Sequence, residues 1–268
     1  MILKIENLVK KYDTLAAVDK ISFEIDKGEI FGLLGPNGAG KTSTLKCILG
    51  LRKMNSGNIH INGTIAYIPE KKNLYKSFTV EKMVDITNSL TNNFSKNKAY
   101  DILRDFNLDT KIKIANLSYG MLTQLYIALT LSQDADLYIL DEPTWGLDPL
   151  MRNKIINLIR DLSYNGKSVL YTSHILAEVE KIADRIAIMS KGKILEMDYL
   201  DNIKSNYSAI SLPKDKKTEG YLWKKLENEN IWIVKGKNGE PVTICNNYYL
   251  IFLHCSISKR IISYVRRK

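Results

Sequence analysis

Gly35-Pro36-Asn37-Gly38-Ala39-Gly40-Lys41-Thr42 has the residue types and spacing of a phosphate-binding loop. Its glycines allow backbone N–H groups to turn inward around phosphate oxygens, and a helix that follows presents the positive end of its dipole to the same charge. Lys41 would reach the β- and γ-phosphates, and Thr42 would offer its hydroxyl to Mg²⁺. Ser43 follows in the same turn. Far downstream, Leu137-Tyr138-Ile139-Leu140-Asp141-Glu142 is an apolar run that ends in two carboxylates. In phosphate-loop proteins a carboxylate at that position holds Mg²⁺, which casts Asp141 as a metal-holding group. The reagent implied is a nucleoside triphosphate with its magnesium.

Such a loop functions only between a strand and a helix. Ile30-Phe31-Gly32-Leu33-Leu34 is a short, wholly apolar run, as expected of a strand buried on both faces. Thr42 to Leu49 then has helical character and stops at Gly50. Ile2 to Val9 and Ile21 to Asp26 alternate as strands. Asn58 to Ile68 holds two strand-like runs split by Asn62-Gly63, which predicts a hairpin. Residues 74–134 read as a helical subdomain inserted in the core, opening near Thr79 with a second helix over Ala99 to Phe106. Leu137–Leu140 and Ser168–Thr172 return to buried-strand character on either side of a helix near 150–164. Arg185 to Met197, broken at Lys191-Gly192, predicts a closing hairpin. The weaker pattern beyond 200 suggests another, with Ile231–Val234 and Val242–Cys245 flanking Asn238-Gly239.

Between loop and carboxylates lies Leu117-Ser118-Tyr119-Gly120-Met121, and after them Pro143-Thr144-Trp145-Gly146-Leu147-Asp148 and Thr172-Ser173-His174. In this order the motifs resemble those of the ATP-binding subunits of ABC transporters, over roughly residues 1–200. The Pro69-Glu70 pair and the run Thr172 to Glu180 bring the resemblance closest to bacterial exporters of antibiotic or peptide-resistance type. It implies an α/β fold: a P-loop NTPase (RecA-like) core, an N-terminal antiparallel β subdomain, the inserted helical subdomain, and a small C-terminal appendage over 201–268.

The resemblance also assigns roles. Glu142 would be the general base that polarises the attacking water, and His174 the switch histidine at the γ-phosphate. Gly35, Pro36, Asn37, Gly38, Ala39, Gly40, Lys41, Thr42 and Ser43 would contact nucleotide, with Tyr12 stacking on adenine. Thr42, Glu70 and Asp141 would hold Mg²⁺. Ser118 and Gly120 would close on the ATP of a second subunit, and Asp148 would meet that subunit through the D-loop. Three positions depart from the family: Glu70 replaces Gln, Tyr119 replaces Gly, and Gln124 replaces Arg. Trp145 stands where small or polar residues are usual. His60 and His254 match no motif and read as structural.

The implied protein is an ATP-hydrolysing subunit that dimerises head to tail, as a homodimer or heterodimer, around two ATP-Mg²⁺. It would drive integral membrane permease subunits from the cytoplasmic face of a bacterial membrane, for export of a drug, lipid or antimicrobial peptide. A soluble ABC-type ATPase of translation or repair is the alternative, and a non-hydrolysing regulator a third reading.

Composition fits this class. Hydrophobic residues make up 45% and charged residues 25%, ordinary for a globular chain. No apolar run approaches the length of a spanning helix. Most of the net charge of +10 comes from residues 201–268, which reads first as a solvated basic tail, with attraction to an anionic membrane surface or to nucleic acid as the functional alternatives. No stacking aromatic array accompanies it, so nucleic acid is not expected as a partner. Cys47, Cys245 and Cys255 lack metal-ligand spacing and read as reduced thiols.

Overall fold

A computed structural model describes residues 1–205 and, as strand backbone, 207–213, 221–225 and 229–235. A six-stranded sheet forms its centre, in the order β5-β6-β7-β3-β8-β9. The strands are β3 (Ile30–Leu34), β5 (Ile65–Ile68), β6 (Leu137–Asp141), β7 (Ser168–Ser173), β8 (Arg185–Ser190) and β9 (Lys193–Tyr199). All neighbours run parallel except the β8–β9 pair, which closes the edge as the expected hairpin. Every residue of β3, β6 and β7 is buried, so these strands show no alternation of buried and exposed positions.

Side chains on β3 still divide by face. Ile30 and Leu34 join one apolar cluster with the helices. Phe31 and Leu33 join another, beneath a second, antiparallel sheet. That sheet has the order β2-β1-β4, from β1 (Leu3–Tyr12), β2 (Leu15–Ile25) and β4 (Ser56–Ile61). Phe23 of β2 stacks on Phe31 with ring centroids 5.0 Å apart, joining the two sheets. On the opposite face Gly32 admits a close neighbour: a Cβ there would fall 2.4 Å from Val179.

Several helices begin at side-chain caps. After β3 comes α1 (Lys41–Ile48), which starts at Gly40 with no side-chain cap. The inserted segment holds α2 (Val80–Leu90), α3 (Lys96–Asp105), a 3₁₀ turn at Ile114–Asn116 and α4 (Tyr119–Leu131). Thr79, Ser95 and Ser118 cap the three α-helices by accepting an N–H from the next turn. The later helices are α5 (Pro149–Tyr164), the short α6 (Leu176–Val179) and α7 (Leu200–Ser205). Leu200 and Ile203 still belong to the helix-side cluster.

Asn62-Gly63 does not close a hairpin. β4 pairs with β1, whereas β5 pairs in parallel with β6, so the chain passes here from one sheet to the other. Gly63 takes φ +133, and Asp136 accepts the Thr64 N–H at 2.8 Å and its hydroxyl at 2.9 Å. These bonds hold the Asp136 carboxyl below its usual range. In the third sheet, β12 (Glu229–Lys235) lies between β10 (Tyr207–Pro213) and β11 (Tyr221–Lys225). Its expected partner run, 242–245, lies outside the described residues, as do His254, Cys245 and Cys255.

The crossing at Gly63 predicts an asymmetry between two glycines. A Cβ at Gly63 would stand 2.6 Å from the Asp136 carboxylate, while one at Gly50 (φ +68) would meet nothing within 4 Å. Gly50→Ala carries only the left-handed backbone cost, about 1 kcal/mol. Gly63→Ala adds a steric conflict and costs about 2–4 kcal/mol. Urea unfolding of the two variants should show the larger loss at Gly63.

Candidate functional site

The carboxyl ends of β3, β6 and β7 lie side by side, so the segments that follow them converge on one edge of the sheet. This is where open α/β sheets bind ligands. A cleft of about 610 Å³ opens there, lined by Pro36, Asn37, Gly38, Ala39, Gly40, Lys41, Thr42 and Ser43, with Tyr12, Glu70 and Glu142. Its size suits a small-molecule ligand.

The loop after β3 leaves little room for side chains. A Cβ on Gly35 would fall 2.3 Å from the Met189 carbonyl, and one on Gly40 2.2 Å from that of Ala17. Gly40 has φ +108. Because α1 lacks a side-chain cap, its first N–H groups are available to an anion. The β8–β9 turn supports the loop, with the Gly192 N–H donating to Ala39 at 2.9 Å. Lys41 is buried, and its ammonium donates to the Gly35 carbonyl at 2.7 Å and faces Glu142 Oε1 at 3.3 Å.

Asp141 ends β6 fully buried. Register places Thr172 of β7 beside it. The Thr172 hydroxyl donates to Asp141 Oδ1 at 2.7 Å and accepts the Glu142 N–H at 3.1 Å. Burial pushes the Asp141 carboxyl up, opposed by the Thr172 bond. Its Oδ2 is buried without a hydrogen-bond partner. Thr42 Oγ1 lies 3.4 Å from Glu70 Oε2. A buried orphan carboxylate oxygen, a hydroxyl and a second carboxylate suit Mg²⁺, a hard cation that prefers oxygen and completes its shell with water and phosphate. Consistent with so sparse a protein shell, no group of three or more His, Cys, Asp or Glu capable of holding a metal occurs among the described residues.

Glu142 adopts φ +48, a left-handed conformation that costs a non-glycine residue about 1–3 kcal/mol. Its Oε2 lies 2.8 Å from His174 Nδ1, and its other oxygen faces Lys41. Where the carboxylate is ionised it only accepts, and Nδ1 is then the donor.

Tyr12 ends β1 and is partly exposed in the cleft, with the Lys10 ammonium 4.8 Å from its ring centroid. Ser118 and Gly120 begin α4 and do not line the cleft. Ser118 Oγ accepts the Met121 N–H at 3.2 Å, which leaves its own proton free to donate. Asp148 caps α5, accepting from Leu150 and Met151. His60 sits exposed on β4. Cys47 is buried and free, and burial raises its thiol pKa.

Several contributors escaped the sequence reading. Glu178 is buried beside the site, where Oε2 accepts the hydroxyls of Thr144 at 2.6 Å and Tyr171 at 3.0 Å. It ties the segment after Glu142 to the one after His174. Lys72 is buried, its ammonium 3.4 Å from the Glu70 carbonyl and 5.4 Å from the Tyr119 ring centroid. The Trp145 ring packs edge-on against His174 at 5.1 Å. Local pattern marks Glu178 and Lys72 as ordinary surface charges, and only their neighbours in space reveal them.

The sequence matches the family described as ABC transporter over residues 18–145. It is similar to an uncharacterized ABC transporter ATP-binding protein of Methanocaldococcus jannaschii, 35% identical over 211 residues, 75% of this chain and 79% of that one. It is likewise similar to the linearmycin resistance ATP-binding protein of Bacillus subtilis, 37% identical over 210 residues, 72% of this chain and 68% of that one. Among solved structures, an ATP binding subunit of an ABC transporter aligns with TM-score 0.71 and 30% identity, covering 76% of this chain and 92% of that one.

The double use of the Thr172 hydroxyl yields a stability prediction. Thr172→Val keeps the shape but strips Asp141 of its donor and costs about 1.5–3 kcal/mol. Thr172→Ser restores most of that stability. Denaturant midpoints of the two variants check the difference.

Proposed function

Because the chain belongs to the family of ABC transporter ATP-binding proteins, we propose that it is the ATP-hydrolysing subunit of an exporter, working as a head-to-tail dimer around two ATP-Mg²⁺. The observation that carries this reading is the separation of two half-sites. The cleft holds the phosphate loop, Tyr12, Glu70 and Glu142, but neither Ser118 nor Gly120 lines it. Ser118 nonetheless sits at a helix N-terminus with a proton to donate, a combination suited to a phosphate brought by another molecule. A second copy, turned head to tail, supplies that phosphate.

Within each cleft the adenine stacks on Tyr12 and the loop N–H groups wrap the phosphates. Asp141, Thr42 and Glu70 hold the magnesium ion, which neutralises phosphate charge when bound. A triphosphate gives Lys41 an anionic partner and so relieves its contact with Glu142. Glu142 is then free to accept the proton of the attacking water, while His174, already paired with that carboxylate, orients it at the γ-phosphate. Loss of the γ-phosphate removes the ligand shared by Lys41 of one copy and Ser118 of the other, and the dimer opens.

Among the described residues no helix is long and apolar enough to cross a membrane. In this reading, work on a membrane is assigned to separate permease subunits, with the chain peripheral on the cytoplasmic face, as the family implies. The curated relatives include proteins named for linearmycin resistance and for Nod factor export, which supports an export role.

Three variants test the proposal. Lys41→Ala abolishes binding of a fluorescent ATP analogue. Glu142→Gln binds ATP, loses about 10²- to 10⁴-fold in phosphate release, and elutes as a dimer when ATP and Mg²⁺ are present. Adding Ser118→Arg to Glu142→Gln returns it to a monomer that still binds ATP. A Glu142→Gln protein that stays monomeric and hydrolyses ATP would overturn the reading.

A further inference from the structure

Trp145 occupies an unusual place for a large aromatic. It lies in the turn after Glu142, where its N–H donates to the Glu142 carbonyl at 3.2 Å. Its side chain stays half exposed at 49%, so apolar burial alone gives a weak reason for an indole. Its ring nevertheless meets the His174 imidazole edge-on, with centroids 5.1 Å apart and planes at 61°. This is an attractive geometry for two aromatic rings.

The next residue faces a different partner. Gly146 has φ +79, and a Cβ there would fall 2.7 Å from Tyr119 Cδ1. The Tyr119 ring thus lies directly on the backbone of the turn. Leu147 then approaches Gly120, with 3.4 Å between its Cδ2 and a Cβ built at that glycine. Two consecutive residues therefore touch His174 on one side and the start of α4 on the other. His174 also makes a polar contact of 2.8 Å to Glu142 Oε2 and is partly exposed. The Trp145 ring is a neighbour that can select the histidine rotamer.

We propose that Trp145 is a positioning residue for His174, holding the imidazole on Glu142 and transmitting movement of the Tyr119–Gly120 segment to it. Trp145 touches no reacting atom and acts only through the histidine. The proposal rests on the hydrolytic reading above, and it adds a link within one chain between the segment that would close on a partner's nucleotide and the residues that act on its own. A turn bearing a small residue at 145 lacks that link.

The test uses the full chain with Trp223→Phe and Trp232→Phe, which leaves Trp145 as the sole indole of the three. Imidazole in contact with an indole quenches its emission, so His174→Ala should raise Trp145 fluorescence. In the parental chain, Trp145→Ala should lower kcat for ATP about tenfold and leave KM within about twofold, whereas Trp145→Phe, which keeps a ring against the imidazole, should retain most of the rate. Unchanged emission in the His174→Ala protein, or a parental kcat in Trp145→Ala, overturns the proposal. Should the parental chain release no phosphate at all, the hydrolytic reading fails, and the emission measurement alone decides the contact.

Discussion

One hydroxyl joins a buried carboxylate to the backbone of the residue that follows it. Thr172 donates to Asp141 and accepts from the backbone of Glu142, so it orders the buried acid and the start of the strained turn that follows. That hydroxyl is present because β6 and β7 pair in the register Asp141 with Thr172. A slip of one residue would turn the side chains of β7 to the opposite face and bring Tyr171 or Ser173 alongside. The register in turn is held by apolar side chains that alternate between two cores, Tyr138 and Leu140 on one face, Leu137 and Ile139 on the other. The chemistry of this edge therefore depends on packing some distance below it. Burial without pairing would make Asp141 costly, since a buried charge is tolerated only when its hydrogen bonds are made. Here one oxygen is satisfied and the other is left over, and that remaining capacity is what a cation could use.

The same economy appears at the helix starts. Ser118 and Asp148 both cap helices, and both belong to motifs for which an interface role is proposed. A cap fixes the backbone of the first turn and removes one or two orphan N–H groups. It also keeps the capping side chain at the surface of the turn. Ser118 retains a donor, whereas Asp148 brings only acceptors, so the two present opposite hydrogen-bonding character. The Gly40 start of α1 differs, because no side chain competes for its N–H groups.

Much of this was legible in the sequence, and the reasons divide cleanly. Ile30–Leu34 was readable as a strand with its full bounds because burial on both faces requires an uninterrupted apolar run. Thr79 was readable as a helix opening because capping is a local device. Asn62-Gly63 misled, since a positive-φ glycine serves a change of sheet as well as a hairpin, and only the pairing of β4 with β1 and β5 with β6 separates the two. Thr172, Glu178 and Lys72 carry no local signature of their surroundings. Each gains its place from a residue distant in sequence, Asp141, Thr144 and Tyr119 respectively, and a pattern confined to neighbours in sequence could not bring those pairs together.

Two departures from the family pattern, taken singly, read as independent substitutions. In space they touch. The Tyr119 hydroxyl donates to the Glu70 carbonyl at 3.2 Å, so the ring that replaces a glycine spans from α4 to the loop that carries the carboxylate replacing an amide. Lys72 sits over that ring with its ammonium toward the same carbonyl. Burial lowers the Lys72 pKa, and the charges of Asp141, Glu70 and Glu142 oppose that effect. A carboxylate at 70 adds negative charge near Asp141, which joins burial in pushing the Asp141 carboxyl up. The buried Lys72 ammonium offsets part of that charge, and the Tyr119 face offers it a partner within cation–π distance. Glycine at 119 would leave Lys72 without its ring, and glutamine at 70 would remove one of the charges that favour a buried ammonium. The two substitutions therefore meet around one buried ammonium, that of Lys72.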